Sequence, residues 1–197
     1  FNTSTSIWGI SATIGNIEQA KDVLMGNFKT DNNGVLIKSN IKKKIQVKSI
    51  APKEIRHMPW RGHLGINLTP QLIPILKKSK STLIFTNTRS QCELWYQKLL
   101  EKMPELAGDM AMHHGSIDRN IRLWVENAVR NEKIKVVVCT SSLDLGVDFD
   151  PVESIVQIGG PKGVARFIQR AGRSGHRPNE VSKIYFLPTH AIELIEA

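Results

Sequence analysis

Residues 133–150 read "KIKVVVCTSSLDLGVDFD". The run from Val136 to Cys139 is apolar at every position, with no polar alternation, so it reads as a strand covered on both faces. Strands of that kind belong to parallel sheets flanked by helices on each side. A hydroxyl-rich turn with a glycine follows at once. Ligands of such sheets are met beyond the carboxyl ends of the strands, so this turn is a first candidate for chemistry.

The neighbouring segments repeat the pattern. "STLIFT" (81–86) and "DMAMH" (109–113) read as strands, as do "SIVQIG" (154–159) and "SKIYFLP" (182–188). Between them lie helices. One follows residue 86, with Ser90 and Glu93 spaced as a capping box and Cys92, Trp95, Tyr96, Leu99, Leu100 and Met103 at helical period. Another is capped by Asp118 and has an expected core stripe of Ile121, Trp124, Val125, Ala128 and Val129. A third spans about 161–171. The expected fold is therefore α/β, a mainly parallel sheet with helices on both faces.

The first 80 residues are less regular. "SIWGI" (6–10), "GVLIKS" (34–39) and "KKIQVKSI" (43–50) read as strands, "IEQAKDVLM" (17–25) as a helix, and Thr69–Pro70 as the start of a helix to about 79. The turn-rich "FKTDNNG" (28–34) marks the expected boundary, dividing 1–30 from 31–197.

Hydrophobic residues are 41% and charged residues 23% of the chain, as in a globular protein. No apolar run approaches the roughly 18 residues of a membrane span, and no membrane partner is expected. Cys92 and Cys139 lie in separate apolar segments and read as reduced core thiols of a cytoplasmic protein. The pair His113–His114 has no Cys, Asp or Glu at ligand spacing, so no metal site is expected. The 27 Lys and Arg against 18 acids leave a formal charge of +9, which points to a polyanionic partner, nucleic acid first.

The loops after the strands carry "NTRS", "HGS", "TSSLDLG" and "GGPKG", and all four should meet on one edge. Hydroxyls, amides and arginines are groups that hold phosphates. Each loop alone suits an ordinary helix cap; four together favour an anion-binding edge. The ninefold stretch "QRAGRSGHR" (169–177) adds three arginines and two glycines.

"ISAT" (10–13), "TLIFTNTRSQCE" (82–93), "HHGS" (113–116), "VVVCTSSLDLGVDFD" (136–150) and "QRAGRSGHR" occur in the order of motifs III, IV, IVa, V and VI of superfamily 2 helicases. The wording of the last two, with "PTHAIELIEA" (188–197), is similar to the Lhr family, including its ligase-associated DEXH-box branch. The chain thus resembles the second RecA-like lobe of such an enzyme, with residues 1–30 as the tail of the first lobe. The resemblance implies an arginine finger at Arg173, with Arg170 and Gln169 as further catalytic support. It implies ATP contacts from Gly146, Asp148 and Arg173, with either His176 or Arg177 as a second contact. Nucleic acid would be held by Asn87, Arg89, His114, Gly115, Ser116, Thr140, Ser141 and Ser142, and coupling between lobes would run through Ser11 and Thr13. Gly172 and Gly175 would let the backbone approach the nucleotide. Arg119 and Arg122 serve equally well as phosphate contacts or as solvated surface charge.

The phosphate loop G-x-x-x-x-G-K-[ST] and an Asp-Glu pair do not occur in this sequence. The expected cofactor, ATP with Mg2+, would accordingly be bound mainly by the first lobe, and this chain alone should not hydrolyse it. The expected reading is half of a 3′-to-5′ translocase on single-stranded DNA, duplex DNA or RNA–DNA hybrids. Its own first lobe and DNA ligase and nuclease repair proteins are the expected partners. A non-catalytic nucleic-acid binding module is the alternative, since the net charge suits it equally. A phosphatase is set aside because no cysteine adjoins the glycine-rich loop.

Overall fold

The computed structural model describes residues 7–11, 14–26, 34–38, 44–52, 64–144, 152–175 and 181–193. The chain divides into two compact units, Phe1–Lys42 and Lys43–Ala197. The division falls later than the boundary expected at residue 30, immediately before the first strand of the sheet.

In the first unit, helix α1 spans Ile17–Met25, as its periodicity predicts. Asn16 caps it, its side-chain oxygen accepting from the Gln19 N–H at 3.1 Å. Residues 7–10 and 34–38, expected as strands, have no regular secondary structure. A strand needs a hydrogen-bonded neighbour, and Ile10 (92% exposed) and Val35 (88% exposed) have no apolar layer over them.

Among the described residues the second unit has six strands, β1 (Ile45–Ser49), β2 (Thr82–Phe85), β3 (Met110–His113), β4 (Val136–Cys139), β5 (Ser154–Ile158) and β6 (Ser182–Leu187). They pair in the order β1-β6-β5-β2-β4-β3, every pair parallel. Side chains alternate between the faces along each strand. Leu83, Phe85, Val137 and Cys139 enter one apolar layer, and Ile84, Val136 and Val138 the other. Helices α2 (Thr69–Lys78) and α3 (Arg89–Lys102) cover the second layer with Leu72, Leu76, Trp95 and Leu99. Helices α4 (Arg119–Arg130) and α5 (Val164–Ala171) cover the first with Val125, Ala128, Val129 and Ala171.

Two details differ from the sequence reading. The cap of α3 is Thr88, which accepts from the Gln91 N–H at 3.2 Å, and Ser90 lies inside the helix. The Thr88–Gln91 spacing satisfies the same rule two residues earlier. In α4 the buried stripe is Val125, Ala128 and Val129, while Ile121 (54% exposed) and Trp124 (61% exposed) face away from the core. The helix lies over the edge strand β3, and a surface there is too narrow to cover the whole apolar face. Both cysteines are buried free thiols, and burial pushes Cys92 up to about 12.

Candidate nucleic-acid and nucleotide edge

Parallel pairing in register puts Phe85, His113, Cys139 and Gln157 level with one another, so the loops leaving β2, β3, β4 and β5 emerge on one edge. Beyond β2, the Asn87 amide donates to the Gly160 carbonyl at 2.9 Å and ties the loops after β2 and β5 together. Arg89, exposed in the first turn of α3, donates from Nη1 to Ser116 Oγ at 2.9 Å. Two expected phosphate contacts from different loops thus stand side by side, with Gly115 exposed between the expected contacts His114 and Ser116.

His114 sits differently from its expected part. It is 5% exposed; its Nδ1 accepts from the Ser116 N–H at 3.3 Å, and its Nε2 lies 3.6 Å from Glu93 Oε1. Burial holds its pKa below the ordinary value against the opposing pull of Glu93. The imidazole shapes the loop from inside, leaving Ser116 and Arg89 as the groups that reach outward.

Thr140 and the one-turn helix Ser141–Leu143 leave β4. The Thr140 N–H donates to the His113 carbonyl at 3.2 Å, which sets the direction of the exit. Ser141 is exposed, whereas Ser142 turns inward. Its hydroxyl is 2.7 Å from His113 Nδ1 and 2.9 Å from the His113 carbonyl oxygen, and His113 Nε2 is 3.0 Å from Glu126 Oε1. The ring, with no exposed surface, is pinned between the β4 exit and α4. Burial lowers its pKa, with the Glu126 hydrogen bond and charge opposing.

The arginine-bearing segment packs against the turn that leaves β4. Arg170, in the last turn of α5, was expected among the catalytic groups, but it is 2% exposed. Its Nε and Nη2 donate to Asp144 Oδ1 and Oδ2 at 2.7 and 3.1 Å. Nη1 donates to Gln157 Oε1, and the guanidinium carbon lies 4.6 Å over the Phe85 ring. A cation so surrounded braces the site from within. Arg173 is half-buried in the turn after α5, and its Nη2 donates to the Asp144 carbonyl at 2.7 Å. Gln169 is half-buried next to Arg170. Of the two glycines here, only Gly175 needs its freedom, with φ 60°; a Cβ there would crowd the backbone around Val181 and Ser182 at 3.3 Å. Gly172 has an ordinary helical φ of −59°, so a left-handed turn does not explain it.

Ser11 is described, exposed and in the first unit. Thr13, Gly146, Asp148, His176 and Arg177 lie outside the described residues. The residues that organise the edge and escaped the sequence reading are His113, Glu126, Asp144, Gln157 and Glu193. Glu193 accepts the N–H groups of Gly160 at 2.7 Å and Thr189 at 2.6 Å. Only Asp144 had a legible signal, a single carboxylate beside loops rich in arginine.

Residues 66–177 match the helicase conserved C-terminal domain. ATP-dependent helicase Lhr-Core protein 2 of Thermococcus barophilus is 34% identical over 190 residues, 95% of this chain and 22% of that protein. ATP-dependent helicase Lhr-Core of Methanocaldococcus jannaschii is 35% identical over 192 residues, again 95% of this chain and 22% of that protein. The structure of Mycobacterium smegmatis helicase Lhr bound to ssDNA and AMP-PNP is similar with a TM-score of 0.81 at 26% identity, over 94% of this chain and 24% of that one. The chain therefore spans less than a quarter of each of these proteins. The matched domain takes in more than half of the chain and the loops after β2, β3, β4 and β5, and on that ground the chain belongs to the family of helicase conserved C-terminal domains, with its relatives among the Lhr helicases.

Proposed function

We propose that this chain is the second motor lobe of an ATP-dependent nucleic-acid helicase. The observation that carries the reading is the meeting of two kinds of group around the turn that leaves β4. Arg89, Ser116, Thr140 and Ser141 offer donors to a phosphate backbone, and Arg173, from the turn after α5, reaches the turn that follows Thr140 through its hydrogen bond to the Asp144 carbonyl. Backbone N–H and hydroxyl donors hold a strand without reading its bases, which suits a protein that must move along it. A fixed guanidinium suits charge spread over a transferring phosphoryl group, and its planar fork can engage two oxygens.

In this reading Arg173 is the group that touches the nucleotide, with Gly146, Asp148 and either His176 or Arg177 beside it. Arg170 and Gln169 act behind it. Ser11 and Thr13 couple the two lobes. Mg2+ and most contacts to ATP belong to a first lobe, and ATP supplies the phosphoryl-transfer energy. Single-stranded DNA is the tracked strand, within a duplex or hybrid substrate. Work in DNA repair, beside ligase and nuclease partners, follows from the branch that the sequence resembles. The bound ssDNA and AMP-PNP named for the Mycobacterium smegmatis protein support both ligand classes.

In the full-length protein, Arg173→Ala should leave the Kd for single-stranded DNA nearly unchanged and reduce ATP hydrolysis by about 10³-fold or more. Arg173→Lys should recover little. Steady-state ATPase assays and fluorescence anisotropy read both quantities. Loss of DNA binding with hydrolysis untouched would make this segment a nucleic-acid clamp and favour the non-catalytic module.

A further inference from the structure

We infer that Asp144 is the positioning residue of Arg173, and that it links the turn after β4 to the arginine that meets the nucleotide; this rests on the motor-lobe reading. Asp144 ends the turn Ser141–Leu143 and is 6% exposed. Three arginines of one segment converge on it. Arg170 takes both carboxylate oxygens through its fork, Arg166 Nε lies 3.5 Å from Oδ2, and Arg173 takes the backbone carbonyl.

The two halves of this residue do different things. The carboxylate neutralises Arg170, which has protein on every side. Without that anion a guanidinium would lie uncompensated between Phe85 and Gln157, and the end of α5 would have to move to release it. The carbonyl meanwhile holds Arg173 directly, with no intervening side chain. A shift of the turn after β4 is therefore passed to Arg173 in one hydrogen bond.

The network is braced from the sheet. The Gln157 amide donates to the carbonyls of Ile158 and Gly159 at 3.1 and 2.9 Å, so the acceptor that meets Arg170 is itself fixed. A buried ion pair adds little net stability compared with apolar groups of the same shape. Its consequence here is geometric: it sets where α5 ends relative to Thr140 and Ser141, the groups expected on the nucleic-acid strand.

The test is a double-mutant cycle on kcat for nucleic-acid-stimulated ATP hydrolysis in the full-length protein. Asp144→Asn keeps the shape and removes the charge. It should lower kcat roughly 10- to 10²-fold, the scale of an ångström-level misplacement, with the KM for ATP and the Kd for single-stranded DNA little changed. In the Arg173→Ala background the same substitution should have no further effect, because Asp144 acts through Arg173. Should Asp144→Asn fail to fold, Asp144→Leu with Arg170→Met replaces the pair by apolar groups and carries the same expectation. A well-folded variant of either kind with wild-type kcat would overturn the inference. So would an equal loss of kcat with and without Arg173, which is what a purely structural role predicts. A wild-type protein that hydrolyses no ATP would instead refute the motor reading, and the inference would fall with it.

Discussion

His113 shows how a single buried ring can order a loop that it never leaves. The Ser142 hydroxyl has one proton and two candidate acceptors, His113 Nδ1 and the His113 carbonyl. With Nε2–H donated to Glu126, the neutral ring accepts the serine proton at Nδ1. Protonation of the ring would reverse that bond and send the hydroxyl to the carbonyl. Burial opposes protonation and Arg122 adds repulsion, while Glu126 favours it; the net direction is a lowered pKa. His114 is lowered for the same leading reason. Below the ordinary value of 6.5 the unfolded chain therefore binds protons that the folded chain refuses. The stability is fully present above that value and falls as pH drops toward the folded pKa. Urea midpoints at about pH 7.5 and about pH 5.5 should show the loss, and His113→Gln should lose less between them. Equal losses in the two proteins would remove His113 as a cause.

At the scale of elements, the start of α3 decides how Arg89 is presented. Thr88 stands outside the helix with extended backbone and accepts from Gln91, while the Gln91 side chain accepts from the Asn87 N–H at 3.1 Å. The loop before the helix is thereby closed on itself, and Asn87 and Arg89 leave it in fixed directions. Thr88→Ala should cost about 1 kcal/mol of stability, and Ser90→Ala only a few tenths, since a serine inside the first turn has no capping bond to lose. Chemical denaturation of this chain distinguishes the two. A larger loss at Ser90 would restore the cap that the Ser90–Glu93 spacing suggests.

At the scale of the molecule, the parallel sheet gathers phosphate-holding groups from strands far apart in sequence. Contacts to backbone phosphates release counterions, so affinity of this chain for single-stranded DNA should be weak and fall steeply between roughly 50 and 200 mM salt. Arg89→Ala should weaken binding alike on every sequence and make the slope shallower. The chain by itself should hydrolyse no ATP, because no phosphate loop is present to cradle the β- and γ-phosphates. Anisotropy titrations at several salt concentrations and a phosphate-release assay measure both. Base-specific, salt-independent binding would count against the edge as a strand track.

By itself the sequence determined the strands β2 to β6, the helices between them and the edge where their loops meet. Runs such as Val136–Cys139 are apolar at every position and admit no other environment. It also placed Arg89 on that edge, because the position of a loop that leaves a strand follows from strand order alone. Arg173, expected there too, follows α5 beside the amino ends of β5 and β6, where its carbonyl accepts from the Val152 N–H, and only its side chain reaches the turn after β4. Only the tertiary structure decided which side chains turn inward. His114, Ser142 and Arg170 are polar and look outward-facing in a linear chain, yet each finds its partner on an element remote in sequence or in the folded loop: Glu93, His113 and Asp144. Burial of a polar group depends on whether a partner is waiting, and no local pattern records that. The same reason separates Trp95 from Trp124. Both sit at helical apolar positions, but only Trp95 has a layer above it and a carbonyl, that of Leu64, for its indole N–H.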